Sequence, residues 1–169
     1  MSETSENFKL RFLGGTKEVG RSGVALSSDD ACILLDYGIM LNRPPDFPLH
    51  VSPKDIDGIV LTHSHLDHCG SAPMFYLRER IPTYATPLTL SLAKILITDL
   101  IKLSNYYLPF EYTELDAMLK CATTLNVSEE CNMGNMKLKS QEAGHIPGSV
   151  QTNIKLNKKK SLVYTGDLN

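Results

Sequence analysis

Leu61-Thr62-His63-Ser64-His65-Leu66-Asp67-His68-Cys69-Gly70 is the stretch on which the reading of this chain turns. Three of the five histidines in 169 residues fall within six positions of it, with Asp67 among them. An apolar run from Ile56 to Thr62 feeds straight into the cluster and reads as a buried strand. In an extended loop, side chains at i and i+2 point the same way, so His63 and His65 can grip one ion. Asp67 and His68 fall on the next turn, too far round for that ion but placed for a second one. Imidazole and carboxylate without thiolate suit catalytic zinc or a related divalent metal such as manganese, whereas a closed structural zinc site would use cysteine.

Two later residues extend the set. Gly144-His145-Ile146-Pro147-Gly148 puts a histidine on a loop bounded by glycine and proline, and Tyr164-Thr165-Gly166-Asp167 puts a carboxylate just beyond a strand, where it can bridge two ions. Asp36 ends a buried strand, Ala31 to Asp36; it is either an ordinary turn carboxylate or the partner that fixes the tautomer of a ligating histidine. His50 stands in a proline-dense loop (Pro44, Pro45, Pro48) and reads as surface.

Away from these residues the chain alternates strand and helix signals. Phe8 to Leu13 and Gly23 to Leu26 read as strands, separated by the Gly14-Gly15 break, with a turn at Asp29-Asp30. Ala72 to Arg80 reads as a short helix and Pro82 to Ala85 as a short strand. Thr86-Pro87 opens a long helix with a cap and a proline at its first position. Thr113-Glu114-Leu115-Asp116 reads as a capping box for a helix ending near Asn126. Strands return at Lys137 to Ser140, Val150 to Leu156 and Ser161 to Thr165, with a hairpin turn at Asn157 to Lys160. This is an α/β or α+β domain.

Composition narrows the classes. A net charge of −2 demands no polyanionic partner, so a nucleic-acid binder of this charge needs a local basic patch. Lys158-Lys159-Lys160 with Lys155, Lys137 and Lys139 is such a candidate, although a solvated hairpin tip is the plainer reading. Cys32, Cys69, Cys121 and Cys131 are too scattered for a disulfide framework, and Cys69 reads as a packing residue. Lys94, Asp99 and Lys102 interrupt the apolar run between Leu88 and Leu103, which excludes a membrane span there. The polar, acidic start, Met1 to Glu6, lacks a signal-peptide core, and the expected location is cytoplasmic. Residues 1–7 are expected to be disordered, and residues 8–169 to form one domain.

From about Phe8 to its end the chain resembles the metallo-β-lactamase fold. Asp36, His63-Ser64-His65-Leu66-Asp67-His68, His145 and Asp167 match the first four motifs of that superfamily in order. Gly20-Arg21-Ser22 after Gly14-Gly15, Leu35-Asp36-Tyr37-Gly38, His68-Cys69-Gly70-Ser71 and Gly144 to Ser149 are similar to the β-CASP branch of RNA- and DNA-processing nucleases. Within it the wording resembles archaeal homologues of the cleavage and polyadenylation specificity factor nuclease and RNase J. The resemblance implies an αββα sandwich with two metal ions at one rim. His63, His65 and His145 would take one ion, Asp67 and His68 the other, with Asp167 bridging both. The ions are expected to be Zn2+, with Mn2+ as the alternative. A metal-bound hydroxide would attack the phosphodiester of single-stranded RNA, Asp67 would orient the attacking water, and Asp36 would support a ligand.

The family pattern continues past Asn169 with further strands, the β-CASP insertion and a last histidine for the second ion. The expectation is therefore an N-terminal portion with an incomplete second site, low activity, and apolar sheet surface open to self-association or to the missing half. Two other readings stay open. One is a small-molecule metallohydrolase such as a glyoxalase-II-like thioesterase. The other is a non-catalytic interaction module.

Overall fold

The computed structural model describes residues 7–29, 31–133, 136–157 and 159–169. The expected disordered start lies outside these residues except for Asn7, whose N–H donates to Asp29 Oδ2 at 3.5 Å. Asp30 of the expected turn and Lys158 of the basic run also lie outside them.

Ten strands form two sheets among the described residues. The first sheet has the order β1 (Lys9–Gly14), β2 (Gly23–Ser27), β3 (Cys32–Tyr37), β4 (Gly58–Val60), β5 (Thr83–Ala85), β6 (Ala122–Thr124). Its first three strands are antiparallel, and β3 to β6 run parallel. The second sheet is antiparallel in the order β10 (Ser161–Tyr164), β9 (Val150–Lys155), β8 (Met136–Glu142), β7 (Glu130–Met133).

The alternation of side chains along each central strand builds two cores at once. Ala25, Leu34, Ile59 and Leu61 face the helices and pack with Ala93, Ile97, Leu115 and Met118. Their chain neighbours Val24, Leu26, Ile33, Leu35 and Val60 face the second sheet and meet Met133, Met136, Leu138 and Ile154. Continuous apolar runs in β3 and β4 thus reflect burial on both faces. The layers are helices, sheet, sheet among the described residues, three of the four layers that the αββα resemblance implies.

Helix α1 (Leu66–Cys69) is one turn long, α2 spans Pro87–Leu103 and α3 spans Tyr112–Lys120. Thr86 caps α2, accepting from Thr89 N at 3.2 Å. Two expectations shift. The helix expected over Ala72 to Arg80 is a 3-10 segment, Ala72–Tyr76, with proline in its first turn. The helix expected to reach Asn126 starts earlier, where Glu111 N–H donates to Glu114 Oε2 at 2.8 Å, and stops at Lys120. Beyond it, β-branched Thr123 and Thr124 pair in parallel with Tyr84 and Ala85, so sheet pairing captures the segment that helical periodicity claimed.

Apolar sheet residues that stay uncovered include Leu10, Phe12 and Val163 among the described residues. Leu10 and Phe12 pair with Leu26 and Val24 and stay 43% and 58% exposed. The outer face of the second sheet is instead mostly polar, apart from Val163 on β10. No helix among the described residues is long and apolar enough to cross a membrane.

Candidate metal centre

The site lies at the carboxyl ends of β3 and β4, where parallel strands open a crevice. Beyond β4 the chain stays extended through His63, Ser64 and His65 and then enters α1, which carries Asp67 and His68. Val150 N–H at the start of β9 donates to Thr62 O at 2.9 Å, which brings the His145 loop of the second sheet against the first. Asp167 follows β10. Gly166 beside it has φ +55, and a Cβ there would stand 2.6 Å from Thr62 Oγ1, so only glycine lets this loop approach so closely. Gly38 plays the same part behind α1, since a Cβ on it would fall on the carbonyl of Asp67.

The ligand-type atoms converge. His63 Nε2 lies 3.1 Å from His65 Nδ1, and His145 Nε2 lies 3.2 Å from the same atom. The ligand atoms of His63, His65, His145 and Asp167 all lie within 4.8 Å of one another. Bare ring nitrogens at such separations repel or compete for a proton, and a shared cation resolves both problems. On the other side, His68 Nε2 lies 3.4 Å from Asp167 Oδ1 and 3.9 Å from Asp67 Oδ2. Asp167 Oδ2 lies 3.5 Å from His145 Nε2, so its two oxygens face different histidine groups. This donor set of imidazole and carboxylate, with no thiolate, fits divalent zinc or manganese.

Asp36 is fully buried and accepts four hydrogen bonds: Thr62 N to Oδ1 at 2.8 Å, and to Oδ2 Thr62 Oγ1 at 2.8 Å, His68 Nδ1 at 2.8 Å and Tyr164 OH at 3.2 Å. Since the Thr62 hydroxyl proton goes to Asp36, its oxygen is left to accept from His63 Nδ1 at 3.0 Å. Both histidines therefore carry their proton on Nδ1 and turn a bare Nε2 to the cluster, the form a metal requires. Asp36 reaches His68 directly and His63 through Thr62. Burial lowers the His63 pKa to about 4, which keeps it neutral. Burial also works against protonation of His68, but the hydrogen bond and charge of Asp36, joined by the charges of Asp67 and Asp167, outweigh it and raise its pKa.

The sequence does not single out Thr62 and Tyr164, because hydroxyls next to a motif carry no signal until the fold brings them onto Asp36. Ser22 Oγ also reaches the site, 3.5 Å from His68 Nε2. Arg21 turns away, donating to Glu18 at 2.7 Å and to Phe47 O at 2.9 Å. His50 is exposed and is not among the converging ligand-type residues. Cys69 is fully buried, donates to Ser64 O and has its thiol pKa pushed up by burial. All four cysteines are free thiols.

Residues 18–103, half of the chain and including the whole histidine cluster, match the metallo-beta-lactamase superfamily. The chain belongs to that superfamily. A metallo-beta-lactamase of Cronobacter sakazakii superposes with a TM-score of 0.62 over 95% of this chain and 60% of its own, at 19% identity, which speaks for the fold alone. RNase aCSPSF2 of Saccharolobus solfataricus is 34% identical over 167 residues, 96% of this chain and 34% of its own length. A probable RNase of Methanocaldococcus jannaschii is 32% identical over 165 residues, 95% of this chain and 39% of its own. The chain thus spans little more than a third of the length of these curated relatives. Both are named as ribonucleases, the direction in which the flanking motifs of this superfamily member point.

Proposed function

We propose that this metallo-β-lactamase domain serves metal-dependent hydrolysis of RNA phosphodiesters, as the metal-binding portion of a β-CASP ribonuclease acting in RNA 3′-end processing or turnover. The observation that carries the reading is Asp167, whose two oxygens face the His145 group and the His68 group separately. The names of the archaeal relatives supply the substrate class.

In this reading His63, His65 and His145 would hold one ion, Asp67 and His68 would hold the other, and Asp167 would contribute to both. Divalent ions so held lower the pKa of water and neutralise charge on a phosphate. The chain's own residues do the rest. Asp36 and Thr62 fix the two imidazole tautomers. Asp67, with its side chain 35% exposed, stands at the open side to orient the attacking water and take its proton. The first group offers four donor residues and the second three, so the first ion binds more tightly and activity of these 169 residues alone is low. Zn2+ is the expected ion and single-stranded RNA the expected substrate. A cytoplasmic location accords with four free thiols.

The test is zinc or manganese loading of the chain, followed by assays of single-stranded RNA and of a thioester such as a glutathione conjugate. Metal-dependent RNA cleavage abolished by His63→Ala supports the reading. Turnover of the thioester with RNA untouched overturns it in favour of a small-molecule hydrolase. Metal-loaded protein that turns over neither, even with the C-terminal portion of a relative supplied in trans, favours an interaction module.

A further inference from the structure

Among the described residues, Ser22 supplies the hydroxyl that reaches a cluster-facing histidine nitrogen: its Oγ lies 3.5 Å from His68 Nε2. Asp36 already holds the Nδ1–H of His68, so Nε2 is an acceptor and the Ser22 hydroxyl donates to it. At this distance the bond is at the outer limit of hydrogen bonding and is given up at little cost. A metal ion at His68 takes the same lone pair, and the hydroxyl is then left to turn to another acceptor.

The backbone holds Ser22 at the second histidine group. Its N–H donates to Asp67 O at 2.8 Å, and its carbonyl accepts from Gly38 N–H at 2.8 Å. The chain arrives there through a tight loop between β1 and β2, in which Lys17, Gly20 and Arg21 have φ of +61, +109 and +42. A residue other than glycine in the left-handed region is strained and persists only where its surroundings hold it. Glu18 and Phe47 O hold Arg21, so its guanidinium turns away while the next side chain turns to the cluster. Gly14 and Gly15 make the room. A Cβ on Gly14 would fall on the Arg21 carbonyl, and one on Gly15 would stand 3.1 Å from Ser22 Oγ. A hydroxyl that serves the loop would be turned to a backbone partner; this one is turned to the metal centre.

We propose that Ser22 is a substrate-contact residue, donating to a non-bridging phosphate oxygen of the RNA beside the second histidine group. The proposal rests on the RNA reading of the metal centre. A hydrogen bond to a charged oxygen is stronger than one to a neutral acceptor, so the contact favours a phosphate over water or an uncharged substrate. The hydroxyl is itself neutral, and it adds this donor without competing with the ions for charge.

The test is calorimetric titration of uridine 5′-monophosphate into the zinc-saturated 169-residue chain, with uridine as the probe that lacks the phosphate. Ser22→Ala should weaken binding of the monophosphate roughly 10-fold, the size of one hydrogen bond to a charged oxygen. Its circular dichroism, its zinc affinity by chelator competition and its response to uridine should match those of the unsubstituted chain. Equal affinity for the monophosphate in both proteins, or binding to neither, overturns the proposal. A loss of zinc affinity as large as the loss of nucleotide affinity also overturns it, and makes the hydroxyl a support for His68. Monophosphate binding that depends on Ser22 in a protein that never cleaves RNA sinks only the hydrolase reading. RNA cleavage together with full monophosphate affinity in Ser22→Ala sinks only this one.

Discussion

Oδ1 of Asp167 lies 3.4 Å from Nε2 of His68, while its other oxygen turns toward His145. A single carboxylate therefore lies within reach of both histidine groups. Asp167→Ala should lower zinc affinity at least about tenfold at both groups and reduce bound metal from about two ions to one or fewer. Metal analysis after equilibrium dialysis reads this directly.

Thr62 relays between Asp36 and His63 through one hydroxyl. Thr62→Val leaves the buried His63 Nδ1–H without its acceptor. Zinc affinity of the first group should fall about 10- to 100-fold, the range for partners that orient ligands. Asp36→Asn should weaken both groups, because it touches His68 directly and His63 through Thr62. Competition with a chelator of known affinity separates the two patterns.

The cluster, its ligand candidates and the strand leading into it were legible because metal chemistry restricts residue type and spacing to a pattern that chance rarely produces. Long elements with caps were legible too, as at Thr86-Pro87. The β6 strand was not, because Ala122-Thr123-Thr124 becomes a strand only through its pairing with β5. Thr62 and Tyr164 were invisible for the same reason: their role depends on a buried carboxylate 26 and 128 residues away in the chain.

Gly166 should resist substitution. Its φ is +55, and a methyl group added there would stand 2.6 Å from Thr62 Oγ1, so Gly166→Ala forces the Asp167 loop outward. We expect about 1–3 kcal/mol of destabilisation and a parallel loss of metal affinity. Urea unfolding with and without zinc measures both.

The metal-free protein should lose stability in mild acid through His63. Its pKa in the folded chain is about 4, depressed mainly by burial, against an ordinary value near 6.5. Below pH 6.5 the unfolded chain takes up a proton that the folded one refuses until about pH 4. The stability this costs grows as pH falls through that window, to about 3 kcal/mol. His68 behaves oppositely: its raised pKa makes its contribution full below pH 6.5 and lost as pH rises through the folded value. His63→Leu should flatten the acid loss between pH 6.5 and 4 in denaturant midpoints, and an unchanged profile would remove His63 as its source.

The most direct measurement is a crystal structure of the zinc-loaded chain with anomalous data at the zinc edge. Two peaks are expected, about 3.5–4 Å apart, with one oxygen of Asp167 on each. One ion would sit among His63, His65 and His145, and the weaker peak beside His68 and Asp67. A zinc-saturated crystal with a single ion held by the three histidines, and Asp167 bound to nothing or to that ion alone, would contradict it.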